Sequence, residues 1–326
     1  MARNRKRVNL AIQGGGSHGA YAWGILDRFL EDGRIEIEGI SGTSAGSMNA
    51  VMYAYGYMTG GADGAREKLA AFWKGLSRTG MGQGGAYAVQ AFKMLTGSSS
   101  PYQWNPWNLN PLRDVLEANV DFEELRRCKT TKLFLAATNV RSGRGRVFTN
   151  PEITVDAVLA SSCLPHLFQA VEIEGEPYWD GGYIGNPVLY PLFYETRSRD
   201  VIILHINPIS RPGTPRSPHE IEDRLDEISF NSSLIKELRA IAFVQKLIEG
   251  GWLKERFRSR LKNVLIHSIR ADKALSDLSV GSKLALDWPF LSNLFERGRD
   301  AGRLWLDAHY ADLGRRQSVD LQAEFL

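Results

Sequence analysis

Hydrophobic and polar positions switch between two periods along the first half of the chain, and each switch marks an element. Val8-Asn9-Leu10-Ala11-Ile12 is a short apolar run that stops at Gly14-Gly15-Gly16, the pattern of a buried strand entering a tight loop. After Gly19, the apolar residues Ala22, Ile25, Leu26 and Phe29 fall at i, i+3, i+4 and i+7, one face of a helix that Gly33 terminates. Ile35-Glu36-Ile37-Glu38 alternates with period two and runs through Ile40 into Gly42-Thr43-Ser44-Ala45-Gly46. Helical spacing returns with Met48, Val51, Met52 and Tyr55. This rhythm of strand, loop, helix, strand, turn, helix predicts a parallel sheet covered by helices.

Farther along, residues near 78–112 mix Gly80, Gly82, Gly84, Gly85 and a Ser98-Ser99-Ser100 run with Tyr102, Trp104, Trp107 and three prolines, which predicts an irregular cap. Trp104 and Trp107 read there as local core rather than as a membrane anchor. Lys132 to Val140 and Val201 to Asn207 are further buried strands, and Val171-Glu172-Ile173 with Tyr178-Trp179 predicts a hairpin that ends at Asp180. Pro208 to Pro218 is the clearest linker. Beyond it, Phe230, Leu234, Leu238, Ile241, Phe243 and Leu247 keep helical spacing, and Asn263 to Ile269 reads as one more strand. Domains are therefore expected at 1–212, carrying the chemistry, and at 213–326, a mostly helical extension.

Composition narrows the function by exclusion. The 326 residues are 43% hydrophobic and 24% charged, ordinary values for a globular protein. A net charge of +3, without a basic stripe interleaved with aromatics, excludes a nucleic-acid binder. The run Arg3, Arg5, Lys6 and Arg7 reads as a solvated tail. Two cysteines, Cys128 and Cys163, and six scattered histidines provide neither a disulfide framework nor metal-ligand spacing, so no metal and no cofactor are expected. With no signal-peptide core and no segment of roughly 20 apolar residues, the expectation is a cytoplasmic protein able to touch a membrane peripherally.

Two loops carry candidate chemistry. In Gly14-Gly15-Gly16-Ser17-His18-Gly19, glycines allow several backbone N–H groups to converge ahead of a helix N-terminus, an arrangement that holds a phosphate or a developing oxyanion. Gly42-Thr43-Ser44-Ala45-Gly46 is a G-x-S-x-G at a strand-to-helix turn, where small flanking residues permit the elbow that holds a serine hydroxyl clear of its backbone.

The glycine loop, the Gly-Thr-Ser-Ala-Gly elbow, Ala160-Ser161-Ser162-Cys163-Leu164-Pro165, Asp180-Gly181-Gly182 and Asn186-Pro187, in this order, resemble the patatin-like phospholipases over roughly residues 8 to 207. The resemblance implies a three-layer α/β/α sheet and hydrolysis of lipid acyl esters, with a lipid or membrane-surface substrate as partner. It implies Ser44 as nucleophile, Asp180 as the second member of a catalytic dyad, the amides of Gly14, Gly15 and Gly16 as oxyanion hole, and Gly42, Gly46, Gly181 and Gly182 as supporting positions. Two positions depart from the family pattern: His18 stands where Arg or Lys is usual, and His166 where Gly is common. An aspartate of ordinary pKa, about 3.9, is a weak base at neutral pH, so burial near Tyr178 and Trp179 is expected to raise it.

Three rivals remain. Gly14, Gly16 and Gly19 satisfy G-x-G-x-x-G, with Glu36 or Glu38 about 20 residues on, the pattern of a dinucleotide-binding oxidoreductase; there, however, the acidic residue ends its strand, and here the strand continues into the elbow. An α/β-hydrolase triad would draw on His205, His267 or His309, but that fold places several strands before the elbow. A catalytically silent lipid binder would have no need to keep both Ser44 and Asp180.

Overall fold

The computed structural model describes residues 5–79, 99–211, 213–252 and 261–326. Its strands are β1 (Lys6–Ile12), β2 (Ile35–Gly42), β3 (Lys132–Asn139), β4 (Gly145–Thr149), β5 (Val171–Ile173), β6 (Glu176–Asp180), β7 (Asp200–Leu204) and β8 (Leu265–Ile269). The longer helices are α1 (Gly19–Asp32), α2 (Ala45–Leu76), α3 (Pro111–Asn119), α4 (Val155–Ser161), α5 (Pro218–Glu249) and α6 (Trp288–His309). All eight strands form one sheet along the path β5-β6-β3-β2-β1-β7-β8, with β4 joined to β3 off that path. The five strands β3, β2, β1, β7 and β8 run parallel, as the sequence rhythm predicts. The strands β4, β5 and β6 are antiparallel additions at one end.

Side-chain alternation on β1 divides the core into two layers. Leu10 and Ile12 face a cluster with Tyr21, Ile25 and Leu26 of α1, Val51 of α2 and Leu294 of α6. Ala11, between them, faces Leu234, Leu238 and Ile241 of α5, together with Val201 and Ile203 of β7. The sheet is thus covered on both faces, a three-layer α/β/α arrangement. Residues beyond the Pro208–Pro218 linker contribute to all three layers: β8 to the sheet, α6 to one face and α5 to the other. Phe243, placed by spacing on the buried side of α5, is 52% exposed.

Helices α1 and α6 approach so closely that glycine is required at the crossing. A Cβ on Gly298 would lie 2.0 Å from the carbonyl oxygen of Tyr21, and one on Gly24 would lie 2.0 Å from that of Phe295. Because both obstacles are backbone, relief requires the helices to separate. Gly298→Val is expected to cost about 1–3 kcal/mol through overpacking, and to lower the melting temperature by several degrees. A calorimetric scan of the full chain checks this, and an unchanged midpoint would contradict the close crossing.

In the expected cap, residues 99–119 form the helical turn Pro101–Trp104 and then α3, capped by Asn110, whose side chain accepts from the Leu112 N–H at 3.2 Å. The residues 80–98 of that stretch lie outside those described. Trp107, expected as local core, is 81% exposed, and Tyr102 and Leu109 beside it are exposed as well.

Candidate active site

Strand register brings the two candidate catalytic residues together. On β3, Leu135 pairs with Phe148 of β4 on one edge and with Gly42 of β2 on the other. Two residues on, Ala137 pairs with Arg146 of β4 and with Asp180 of β6. Since β4 occupies one edge throughout, β2 and β6 share the opposite edge and meet end to end. Two strand residues span about 7 Å, so Asp180, the last residue of β6, arrives where β2 turns off into the elbow.

At that turn Ser44 takes φ 55° and ψ −124°, outside the broad regions open to side-chain-bearing residues, and α2 begins at the next residue. Strain of this kind holds a serine side chain out of regular structure. The elbow is tight enough to need Gly46, where a Cβ would stand 2.2 Å from the carbonyl oxygen of Ile12. Gly42 abuts Gly46 in the same way, Gly181 abuts the Ala136 carbonyl, and Gly182 abuts the Phe230 ring.

Asp180 is buried, its Oδ1 accepting the Gly182 N–H at 2.7 Å. Loss of hydration pushes its pKa up to about 6, against the opposing pull of the Gly182 N–H and the Ser44 side chain. Among the described residues Oδ2 has no hydrogen-bond partner; hydrogen bonds of a catalytic pair often form only with substrate in place. The raised pKa follows the sequence expectation; Trp179 is only partly buried, while Tyr178 is buried.

One short segment ties both residues in place. The Ser44 N–H lies 3.0 Å from the Ser161 hydroxyl and 3.1 Å from the Ser161 carbonyl oxygen, and the Asp180 N–H donates to the Cys163 carbonyl at 2.8 Å. Ser161 therefore braces the elbow from the end of α4. The sequence contained a signal for this in the Ala-Ser-Ser-Cys-Leu-Pro motif, but the motif alone does not say which strand ends it joins.

The glycine loop stands directly against the elbow: a Cβ on Gly14 would lie 2.6 Å from that of Ser44. The three amides expected to form the oxyanion hole differ in their hydrogen-bond partners. Gly14 N–H donates to Asn186 Oδ1 at 2.6 Å, and the Gly14 carbonyl accepts from Asn207 Nδ2 at 2.7 Å, so this peptide is clamped on both sides. Gly15 and Gly16 N–H have no acceptor among the described residues, and both precede α1, whose N-terminal end adds partial positive charge. Gln13 anchors the loop from behind, its Oε1 accepting Ile206 N–H and Asn207 N–H at 2.8 and 2.9 Å, and its Nε2 donating to Asn231 Oδ1 at 3.0 Å. Sequence reasoning missed Gln13, Asn207 and Asn231. A glutamine closing an otherwise apolar strand was the one visible cue.

His18 is buried and bonded to the Ser282 hydroxyl at 2.7 Å; burial first, and then nearby Lys283 and Arg211, drive its pKa down to about 3. The loop's own basic residue is thus neutral at physiological pH. His166 is exposed in a turn. The three histidines of the triad alternative are engaged elsewhere: His205 with Ser268, His267 with Asp200 and Ser318, and His309 with Asp312. Glu38, the ribose-binding candidate of the dinucleotide reading, accepts from the Arg197 and Ser198 backbone N–H groups at 2.8 Å each, while Glu36 pairs with Arg7. Among the described residues no cluster of His, Cys, Asp or Glu is placed to hold a metal, and no helix is long and apolar enough to cross a membrane.

A serine on a strained strand-to-helix elbow, facing a buried carboxylate beside a glycine loop, defines a class of α/β/α protein rather than a dinucleotide-binding one. The patatin-like phospholipase family model matches residues 10–192, more than half of the chain, and the chain belongs to that family. Among solved structures it is similar to VipD from Legionella pneumophila, at 17% identity and a TM-score of 0.40, covering 93% of this chain and 67% of that one. It is also similar to the type III effector protein ExoU, at 14% identity and a TM-score of 0.35, covering 93% of this chain and 53% of that one. ExoU of Pseudomonas aeruginosa in complex with SpcU matches at 13% identity and a TM-score of 0.33, with coverages of 91% and 53%. No curated protein matches the chain.

Proposed function

We propose that the protein hydrolyses carboxylic ester bonds of phospholipids or related acyl lipids, with Ser44 as nucleophile and Asp180 as its general base. The observation that carries this reading is the end-to-end meeting of β2 and β6, which sets a strained serine against a buried carboxylate of pKa about 6. A carboxyl with that pKa is ionised at neutral pH and basic enough to accept a hydroxyl proton as the bond to carbon forms.

Asp180 takes the proton of Ser44 while Oγ attacks the ester carbonyl. The resulting oxyanion is held by Gly15 and Gly16 N–H and the positive end of α1. The clamped Gly14 peptide fixes their direction. Collapse of this intermediate expels the alcohol, to which Asp180 returns the proton, and leaves the acyl chain on Ser44. Water, deprotonated by Asp180, then attacks the acyl ester; the fatty acid leaves and Ser44 recovers its proton. No histidine takes part in these steps.

A long-chain fluorophosphonate tests the reading, because it attaches covalently only to an activated serine. Stoichiometric labelling, mapped by peptide mass to Ser44 and accompanied by fatty-acid release from phosphatidylcholine micelles, is the expected result. Labelling at another serine, or none together with tight lipid binding, would replace the hydrolase with a different enzyme or with a silent binder.

A further inference from the structure

The segment Val280–Leu284 comes from the C-terminal half of the chain and lies on the glycine loop. The Ser282 carbonyl accepts from the Ser17 hydroxyl at 2.9 Å, and the Ser282 hydroxyl shares a hydrogen bond with His18. The Lys283 carbonyl oxygen stands 2.2 Å from where a Cβ on Gly16 would be, at a position with φ +58°. Lys283 is partly buried, and burial lowers the pKa of its ammonium. Nζ donates to Asn207 Oδ1 at 2.6 Å and lies 6.0 Å from the centre of the Phe230 ring. The same Asn207 holds the Gly14 carbonyl, and the same Phe230 abuts Gly182, whose N–H binds Asp180. Lys283 is therefore one side chain removed from the loop on one side and from the catalytic carboxylate's own anchor on the other.

An ammonium carries three donors, of which this one uses one among the described residues. Among the described residues no carboxylate lies within 4 Å of it. Asp223, Asp226 and Glu227 of α5 favour its charge from a distance, whereas Arg211 opposes it. Glu227 is already held by Arg211 and Arg224, and Arg211 also donates to the Ser276 and Leu278 carbonyls. His18 is neutral. A partly buried cation with spare donors beside the glycine-loop amides calls for an anionic ligand, since charge-assisted hydrogen bonds are the strong ones.

We propose that Lys283 is the anion-recognition residue of this site, binding the phosphate diester of a glycerophospholipid while the neighbouring ester lies over Ser44. In such a lipid the phosphate is carried one glycerol carbon from the central ester, so a cation adjoining the oxyanion loop is at the right remove. This inference rests on the hydrolase reading and adds the residue that recognises the phosphate.

The test compares the full-length wild type with Lys283→Met and Lys283→Arg on two substrates, phosphatidylcholine in mixed micelles and the uncharged ester p-nitrophenyl butyrate. In Lys283→Met the ratio of the two kcat/KM values is expected to shift about 10–100-fold against phospholipid, mainly through KM, with part of the loss recovered in Lys283→Arg. Because burial sets the Lys283 pKa at about 8, wild-type kcat/KM for phospholipid falls as pH rises through 8, and the variant lacks that limb. Equal losses on both substrates, or none on either, would overturn the proposal. Binding of a short-chain diether phosphatidylcholine, which has no ester to cleave, separates the two readings. If the wild type hydrolyses neither ester, the Ser44 assignment fails, while weaker diether binding in Lys283→Met still supports the recognition role and unchanged binding removes it.

Discussion

Asp180→Asn is expected to lower lipid hydrolysis by about 10⁴-fold and, at pH 7, to stabilise the fold. The first effect follows from chemistry: an amide cannot take the Ser44 proton, and losses of this order attend removal of an essential base or its partner. The second follows from burial. Desolvation raises the Asp180 pKa from 3.8 to about 6, so the folded state prefers the protonated acid more than the unfolded chain does. Below pH 4 both states carry the proton and this contribution is fully present. It is lost as pH climbs toward 6, and by pH 7 the ionised carboxylate costs ~3 kcal/mol. Asparagine never ionises and so avoids that cost, while its amide oxygen still accepts the Gly182 N–H. Thermal melts at pH 4 and pH 7.5 check the sign: the variant's advantage should grow with pH. Wild-type kcat/KM should fall tenfold per pH unit below about 6. A flat profile between pH 4.5 and 7, or equal melting temperatures throughout, would remove Asp180 from the role of buried base.

Ser44→Ala is expected to lower turnover by about 10⁴–10⁶-fold and to leave the fold intact. The elbow's other hydroxyl, that of Thr43, is buried and donates to the Gly185 carbonyl at 2.8 Å, and the glycine-loop amides by themselves stabilise an oxyanion that no attack creates. The alanine retains the unfavourable φ of 55°, so its melting temperature should stay near that of the wild type. Ser44→Gly, equally inactive, should melt higher, because relief of such strain is worth about 1–3 kcal/mol. Fatty-acid release from phospholipid, measured beside both melting curves, decides the matter. Residual turnover above about 1% of wild type would mean that another group attacks the ester.

The legible part of the site consisted of residues whose chemistry and local backbone announce each other. Ser44 is flanked by the small residues that an elbow needs, and Gly14 to Gly16 follow an apolar strand and precede a helix. Asp180 closes a hairpin whose turn, Glu174-Gly175, has positive φ at both residues. Their roles were less legible than their positions. Three glycine amides look equivalent in sequence, yet Gly14 is withdrawn by Asn186, and that pairing joins residues far apart in the chain. The misreading of Trp107 has a similar cause, since an aromatic in a Pro-rich stretch carries no periodicity that would say which way it points.

By itself, the sequence determined most of the elements and their order, though not β4 or α4, because hydrophobic period and glycine placement act over a few residues and need no knowledge of distant partners. It also determined which residues could do chemistry. The tertiary structure alone decided that β2 and β6 share one edge of β3, that Ser161 and Cys163 brace both strand ends, and that Lys283 comes from the far half of the chain to lie on the glycine loop. Each of these is a long-range register or contact, set by how layers pack. The same packing removes water from Asp180 and so gives its carboxylate the basicity that its sequence neighbours cannot.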